Sequence, residues 1–269
     1  MNNQKINLQP NQLIETHAHI YDGQFSQDRT AMLERAFSSG ISQIWMPNCN
    51  SETIEGMIAL AIQYPKKCLP MMGLHPCYVK EDFEKELQLV EEWLNKDKFV
   101  AIGEIGLDLY WNKTFFAQQQ EAFLFQCQLA KKYHLWIDIH SRNAFWETVE
   151  LIEKNADPNL KGIFHCFSGG EDKTKKAIEL NFLMGIGGVV TFKNGGLDKA
   201  IPYIPLENMV LETDCPYLAP IPHRGKRNEV MYINLVAQKV AEIKGISVEE
   251  VIEVTTNNCI RINLSGFKT

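Results

Sequence analysis

The sequence contains no apolar run long enough to span a bilayer, which excludes a helical membrane protein. Its opening residues, Met1 to Pro10, are polar and carry no apolar stretch of a secretory signal. Seven cysteines are scattered without a Cys-x-x-Cys pair, and their odd number argues against a disulfide framework. The expectation is a cytoplasmic protein, where thiols stay reduced. Positive charge is also in short supply: 27 Lys and Arg stand against 33 Asp and Glu, a net charge of −6. Such a chain gains little non-specific attraction to duplex DNA, so any contact with nucleic acid must be made by a few local groups. No Pro/Ser-rich linker, low-complexity tract or internal repeat divides the chain. A single domain over residues 1–269 is the simplest organisation, and no feature points to an obligate protein partner.

What is present is alternation. Apolar or β-rich runs begin near Leu13, Ile41, Cys68, Phe99, Leu135, Gly162, Phe182 and Met209. Several are almost continuously apolar, as strands covered on both faces are. Helical patterns lie between them. Asp28 to Phe37 spaces Met32, Leu33, Ala36 and Phe37 along one face and ends at Ser39-Gly40. Phe115 to Tyr133, Glu171 to Leu180, Val230 to Lys244 and Val248 to Ile260 read the same way. Eight strand–helix alternations predict an α/β fold, a single (β/α)8 TIM-type barrel, in preference to an open doubly wound sheet.

Residue types that bind metals fall at the ends of the predicted strands. The first ends in Glu15-Thr16-His17-Ala18-His19, where alternation turns His17 and His19 to the same side. The fourth carries Glu104, the fifth His140, the sixth His165 and the eighth Asp214. A lone buried histidine is usually a hydrogen-bonded core residue, and His134, before Leu135, is read that way. Six such residues at five strand ends are another matter, because a barrel brings all those ends to one mouth. His75, at the end of the third strand, faces the same mouth as a candidate substrate contact. Cys166 and Cys215 each follow a proposed ligand and, by alternation, read as packing residues.

Glu15-Thr16-His17-Ala18-His19, Gly73-Leu74-His75-Pro76, Gly103-Glu104-Ile105-Gly106-Leu107-Asp108, His140-Ser141-Arg142, His165-Cys166-Phe167-Ser168-Gly169 and Glu212-Thr213-Asp214-Cys215-Pro216 together resemble the signature set of the TatD family of metal-dependent deoxyribonucleases. Arg224 to Glu229 and Thr256-Asn257-Asn258 extend the likeness, which runs from about Leu13 to Ile262. The resemblance implies an amidohydrolase-like barrel that hydrolyses phosphodiester bonds of DNA, often from 3′ ends of single strands, with two divalent ions. It implies that His17, His19 and Asp214 hold one ion, that His140 and His165 hold the other, and that Glu104 bridges them. The family usually has Asp where Glu15 stands and Pro where Val230 stands. Glu15 lies one layer deeper than the histidines and is expected to orient them.

Two ions a few ångströms apart would clamp a phosphodiester for attack by a metal-activated water, with Asp214 as proton acceptor and Glu104 between the ions. Imidazoles mixed with carboxylates suit Zn, Mn, Co or Ni, and Mg less well. The remaining phosphates of a DNA substrate need cationic or donor partners. Arg142 and the loop with His223, Arg224 and Arg227 are the candidates, and Tyr78, Trp111, Phe167 and Phe192 follow strand ends where a base could stack. Two rival readings share these residues. One is a hydrolase of a small ester, lactone or amide on the same barrel. The other is a non-catalytic metal or nucleic-acid binding protein.

Overall fold

The computed structural model describes residues 12–264, apart from 112, 156 and 158. The reading of Met1 to Pro10 lies outside them. Eight parallel strands follow one another: β1 Leu13–Glu15, β2 Ile41–Met46, β3 Cys68–Pro70, β4 Ala101–Asp108, β5 Trp136–Arg142, β6 Gly162–Phe164, β7 Leu183–Ile186 and β8 Met209–Leu211. The helices are α1 Arg29–Ser38, α2 Ser51–Gln63, α3 Phe83–Lys96, α4 Phe116–Tyr133, α5 Phe145–Lys154, α6 Glu171–Glu179, α7 Leu197–Ala200, α8 Ile233–Lys244 and α9 Val248–Leu264.

The ladders run β1-β2-β3 and β4-β5-β6-β7-β8. Backbone hydrogen bonds close both seams. Val100 donates to Pro70, Met72 to Ala101 and Gly103 to Met72, joining β3 to β4. Thr16 donates to Leu211, joining β8 to β1. The sheet is therefore a closed barrel, and among the described residues no strand edge is left open.

Inside it, one cluster takes a residue from each strand or its immediate end: Ile14, Trp45, Met71, Ala101, Trp136, Ile163, Leu183 and Val210. Cys259 and Ile262 of α9 join this cluster and cover the N-terminal end of the barrel. Trp45 and Trp136, 5.1 Å apart, are the bulky fillers. The larger apolar cluster lies between strands and helices, and the α1 stripe of Met32, Leu33 and Ala36 belongs to it. Burying both faces of the strands is what their continuous apolar runs required.

Strand starts differ from expectation by at most two residues, but four strands are shorter at their C-termini, among them β3, which stops at Pro70, five residues before His75. β1 stops at Glu15, β6 at Phe164 and β8 at Leu211. Beyond these points backbone amides turn to side chains. His17 and Thr213 donate to Glu15 Oε1 at 3.0 and 2.9 Å, and Cys166 donates to Glu212 Oε1 at 2.7 Å. His17, His19, His165 and Asp214 therefore sit just past the strands, on backbone fixed by buried acids.

Candidate metal centre

Glu104 is the hub of the C-terminal mouth. It is 2 % exposed, and its two oxygens face different sets of imidazoles. Oε2 lies 3.2 Å from His17 Nε2 and 3.7 Å from His19 Nε2. Oε1 lies 2.8 Å from His140 Nδ1, 3.2 Å from His75 Nε2 and 3.7 Å from His165 Nε2. Asp214 Oδ1 completes the first set at 3.5 Å from His19 Nε2 and 3.8 Å from His17 Nε2. The close approach of β4 to β5 depends on Gly106. Its φ is +142°, and a Cβ there would stand 1.9 Å from the His140 carbonyl oxygen.

The donor set fits a divalent ion. Bonds of about 2.0–2.2 Å in a tetrahedron place neighbouring donors roughly 3.3–3.6 Å apart. His17 Nε2, His19 Nε2, Glu104 Oε2 and Asp214 Oδ1 show separations from 3.2 to 3.8 Å. A second group, Glu104 with His75 and His140, meets at Oε1.

Buried acids and a phenol fix the far sides of the rings. Asp138 Oδ2 accepts from His17 Nδ1 at 2.7 Å. Glu212 Oε1 lies 3.1 Å from His165 Nδ1. Asp108 Oδ2 accepts from His140 Nε2 at 2.9 Å, while its Oδ1 accepts from the Tyr110 and Trp111 amides. Tyr21 donates to the Pro47 carbonyl, so its oxygen accepts from His19 Nδ1 at 2.9 Å. Asp138, Tyr21 and Asp108 favour a proton on the outer nitrogens of His17, His19 and His140, and the singly protonated rings then turn their inner lone pairs to a cation.

The electrostatics agree. Burial alone would lower the His17 pKa, but Asp138 and Glu104 outweigh it and hold it well above the usual imidazole range. His140 is likewise lifted to about 9, against burial, by its hydrogen bonds to Asp108 and Glu104. Burial would raise Glu104, yet His75, His17 and His165 hold it well below the carboxylate range. A field that attracts a proton this strongly also attracts a metal ion. Glu15 differs: burial pushes its carboxyl up to about 8. It orients the histidine loop through the backbone, by accepting from the amides of His17 and Thr213, rather than through the imidazoles.

All six residues expected as ligands meet here. Above them opens a cavity of about 900 Å³, lined in part by His19, His75, Glu104, His140, His165 and Asp214. Arg142 and Arg224 line it too. Arg142 lies 3.9 Å over Tyr110 and 5.3 Å from Trp111, and Arg224 lies 4.4 Å over Phe192. Among the described residues neither makes an ion pair.

Two expected substrate contacts are placed elsewhere. Arg227 binds Asp28 with both terminal nitrogens, at 2.6 and 2.7 Å, and also reaches Glu229. His223 stacks on Tyr232 at 4.0 Å, nearly parallel. Lys226, by contrast, lines the cavity. Phe167 is buried against Phe145, whereas Tyr78, Trp111 and Phe192 line the cavity. Cys215 is a packing residue as expected. Cys166 is only partly buried and takes a left-handed φ of 45°, which breaks the alternation that would have turned it inward. Asp108, Asp138 and Glu212 were not singled out from sequence. Asp108 and Glu212 stood within the family motifs without a role, and Asp138, two residues before His140 on β5, carried a local signal as an acid within an apolar strand.

A closed α/β barrel with imidazoles and carboxylates gathered at its C-terminal mouth defines a metal-dependent hydrolase. The chain belongs to the TatD family, whose profile, described as TatD related DNase, matches residues 14–263. It is 36 % identical over 251 residues to YabD, an uncharacterized metal-dependent hydrolase of Bacillus subtilis, covering 93 % of this chain and 98 % of that one. It is 30 % identical over 264 residues to the human deoxyribonuclease TATDN3, covering 93 % and 94 %. The crystal structure of YjjV, a TatD homologue from Escherichia coli, superposes with a TM-score of 0.88 at 28 % identity, covering 94 % of this chain and 98 % of that one.

Proposed function

We propose that this protein is a deoxyribonuclease that removes nucleotides from the 3′ ends of single-stranded DNA, working as a single-barrel enzyme with two divalent ions. His17, His19, Glu104 Oε2 and Asp214 would hold one ion, and His140, His165 and Glu104 Oε1 the other. Such a pair, when bound, polarises a phosphodiester and lowers the pKa of an attacking water.

The protein supplies the rest. Asp214 is the ligand carboxylate most open to the cavity, with 13 % of its side chain exposed, so it can take the proton from an attacking water. Asp138 and Asp108 keep the imidazoles of His17 and His140 in one tautomer and orientation, and Glu212 fixes the backbone beside His165. The observation that carries the reading is the pair of guanidinium groups, Arg142 and Arg224, that line the cavity without ion-pair partners among the described residues. They offer bidentate contacts to phosphates beyond the scissile one. Exposed Tyr78 and Trp111 beside them offer surfaces for unstacked bases. Seven free thiols suit a reducing compartment such as the cytoplasm.

The test is digestion of end-labelled single- and double-stranded oligonucleotides by metal-reconstituted protein, beside a small phosphodiester and a lactone. A ladder shortening from the 3′ end of single strands is expected. Turnover of the small substrates alone would replace this reading with that of a small-ester hydrolase.

A further inference from the structure

Five imidazoles surround Glu104, and at the outer nitrogen of one of them stands a donor where the others face a carboxylate or a phenol. His75 follows Gly73-Leu74 and precedes Pro76, which has no N–H, so it caps the short 3-10 turn Pro76–Tyr78. Its Nδ1 accepts the Cys77 amide at 3.0 Å. An amide nitrogen can only donate, so the Nδ1 lone pair is in use and the ring's proton sits on Nε2. Nε2 points inward, 3.2 Å from Glu104 Oε1. His17, His19 and His140 differ at the outer nitrogen, which donates to Asp138, Tyr21 or Asp108, so in a singly protonated ring the inner nitrogen keeps its lone pair for a cation. A protonated inner nitrogen cannot bind a cation. The ring is 13 % exposed, lines the cavity and packs edge-on to His140 at 4.5 Å.

We infer that His75 is the hydrogen-bond donor of the centre: its Nε2–H binds a phosphoryl oxygen of the substrate on the Glu104 Oε1 side, and it is not a fifth imidazole ligand. This deepens the phosphodiesterase reading and rests on it for the substrate class. The geometry has a direct use. A neutral donor beside a bridging carboxylate stabilises negative charge on an oxygen without repelling cations held a few ångströms away. Its position is set by a backbone hydrogen bond rather than by the acids that orient the ligands, so donor and ligands are held independently.

His75→Asn and His75→Gln separate the roles. Asn keeps a capping oxygen near the place of Nδ1 but has nothing at Nε2, whereas Gln puts an amide N–H close to the lost donor. Metal content would be measured by elemental analysis, and the affinity for inorganic phosphate by calorimetry, on the metal-loaded proteins. Both variants should keep the wild-type number of ions. His75→Asn should bind phosphate about 10-fold more weakly, as expected for one lost hydrogen bond to a charged group, and His75→Gln should recover part of that loss. Loss of one ion equivalent in both variants would make His75 a ligand. Unchanged phosphate affinity in His75→Asn would remove the donor role. Neither readout depends on DNA cleavage, so these results stand apart from the outcome of the oligonucleotide assay.

Discussion

Two aspartates of the centre differ in what their loss should do. Asp214 has a left-handed φ of 57°, a conformation that Asn tolerates as well as Asp does. Asp214→Asn should therefore fold normally while losing both the charge and the proton acceptor. Turnover should fall at least ~10²-fold at saturating metal, with the circular-dichroism spectrum of the fold unchanged. Turnover close to wild type, with metal content verified, would remove Asp214 from its role. Among the described residues, the Asp138 carboxylate hydrogen-bonds only the outer nitrogen of His17. Asp138→Asn keeps the shape, but its amide nitrogen can donate to Nδ1 and favour the wrong tautomer. Metal affinity should drop by about 10–100-fold, and raising the metal concentration should restore activity. A loss of activity that saturating metal does not reverse would place Asp138 in the reaction rather than behind a ligand.

At the scale of elements, the loop after β8 divides its arginines between two tasks. Arg224 faces the cavity over Phe192, whereas Arg227 ties the loop to α1 through its N-cap residue Asp28 and, with Glu229, to Arg35. Arg224→Ala should weaken oligonucleotide binding more than binding of a small phosphodiester, with a loss that shrinks as salt rises and no change in melting temperature. Equal loss on both substrates would put Arg224 on the reacting phosphate.

Arg227→Ala should instead act on stability, by about 1 kcal/mol or less, because Asp28 is partly exposed and solvent screens the pair. The hydrogen bonds from Arg227 hold the Asp28 carboxyl down to about 2, below its ordinary value of 3.8. A depressed acid contributes stability above its unfolded pKa and loses it as protons bind. The gap between wild type and Arg227→Ala should thus be full at neutral pH and close as pH falls from about 4 towards 2. Denaturant midpoints across that range would measure it, and a gap that persists at pH 2 would show that packing of the side chain over Phe25, not charge, is what Arg227 contributes.

For the whole molecule, the centre joins the ends of strands from both halves of the barrel: His17 and His19 follow β1, Glu104 is on β4, His140 on β5, His165 follows β6 and Asp214 follows β8. An ion held by such distant segments binds only the folded chain. At 100 times its dissociation constant it adds about 2.7 kcal/mol to stability, and in a chain of this size each kcal/mol moves the melting temperature by roughly 2–4 °C. Chelation should lower the melting temperature by several degrees, and zinc or manganese should restore it. A chelator-insensitive melt would mean that the centre holds no ion tightly.

The sequence alone determined the alternation of strands and helices, because an apolar run can only be buried and eight of them followed by amphipathic helices favour a barrel. It also determined the six ligand-type residues, since a barrel gathers its strand ends whatever their separation along the chain. It did not distinguish Arg224 from Arg227, which are three residues apart in one basic run; only the proximity of Asp28, 199 residues away along the chain, decided it. Asp108 and Glu212 stood in the family motifs and Asp138 in an apolar strand, but none could be given a role, because a buried acid has no assignable partner until the ring or amide it binds is known. The direction of each imidazole's proton was likewise a tertiary outcome. It depends on which atom meets the outer nitrogen, and for His75 that atom is a backbone amide, where His17 and His140 meet carboxylates.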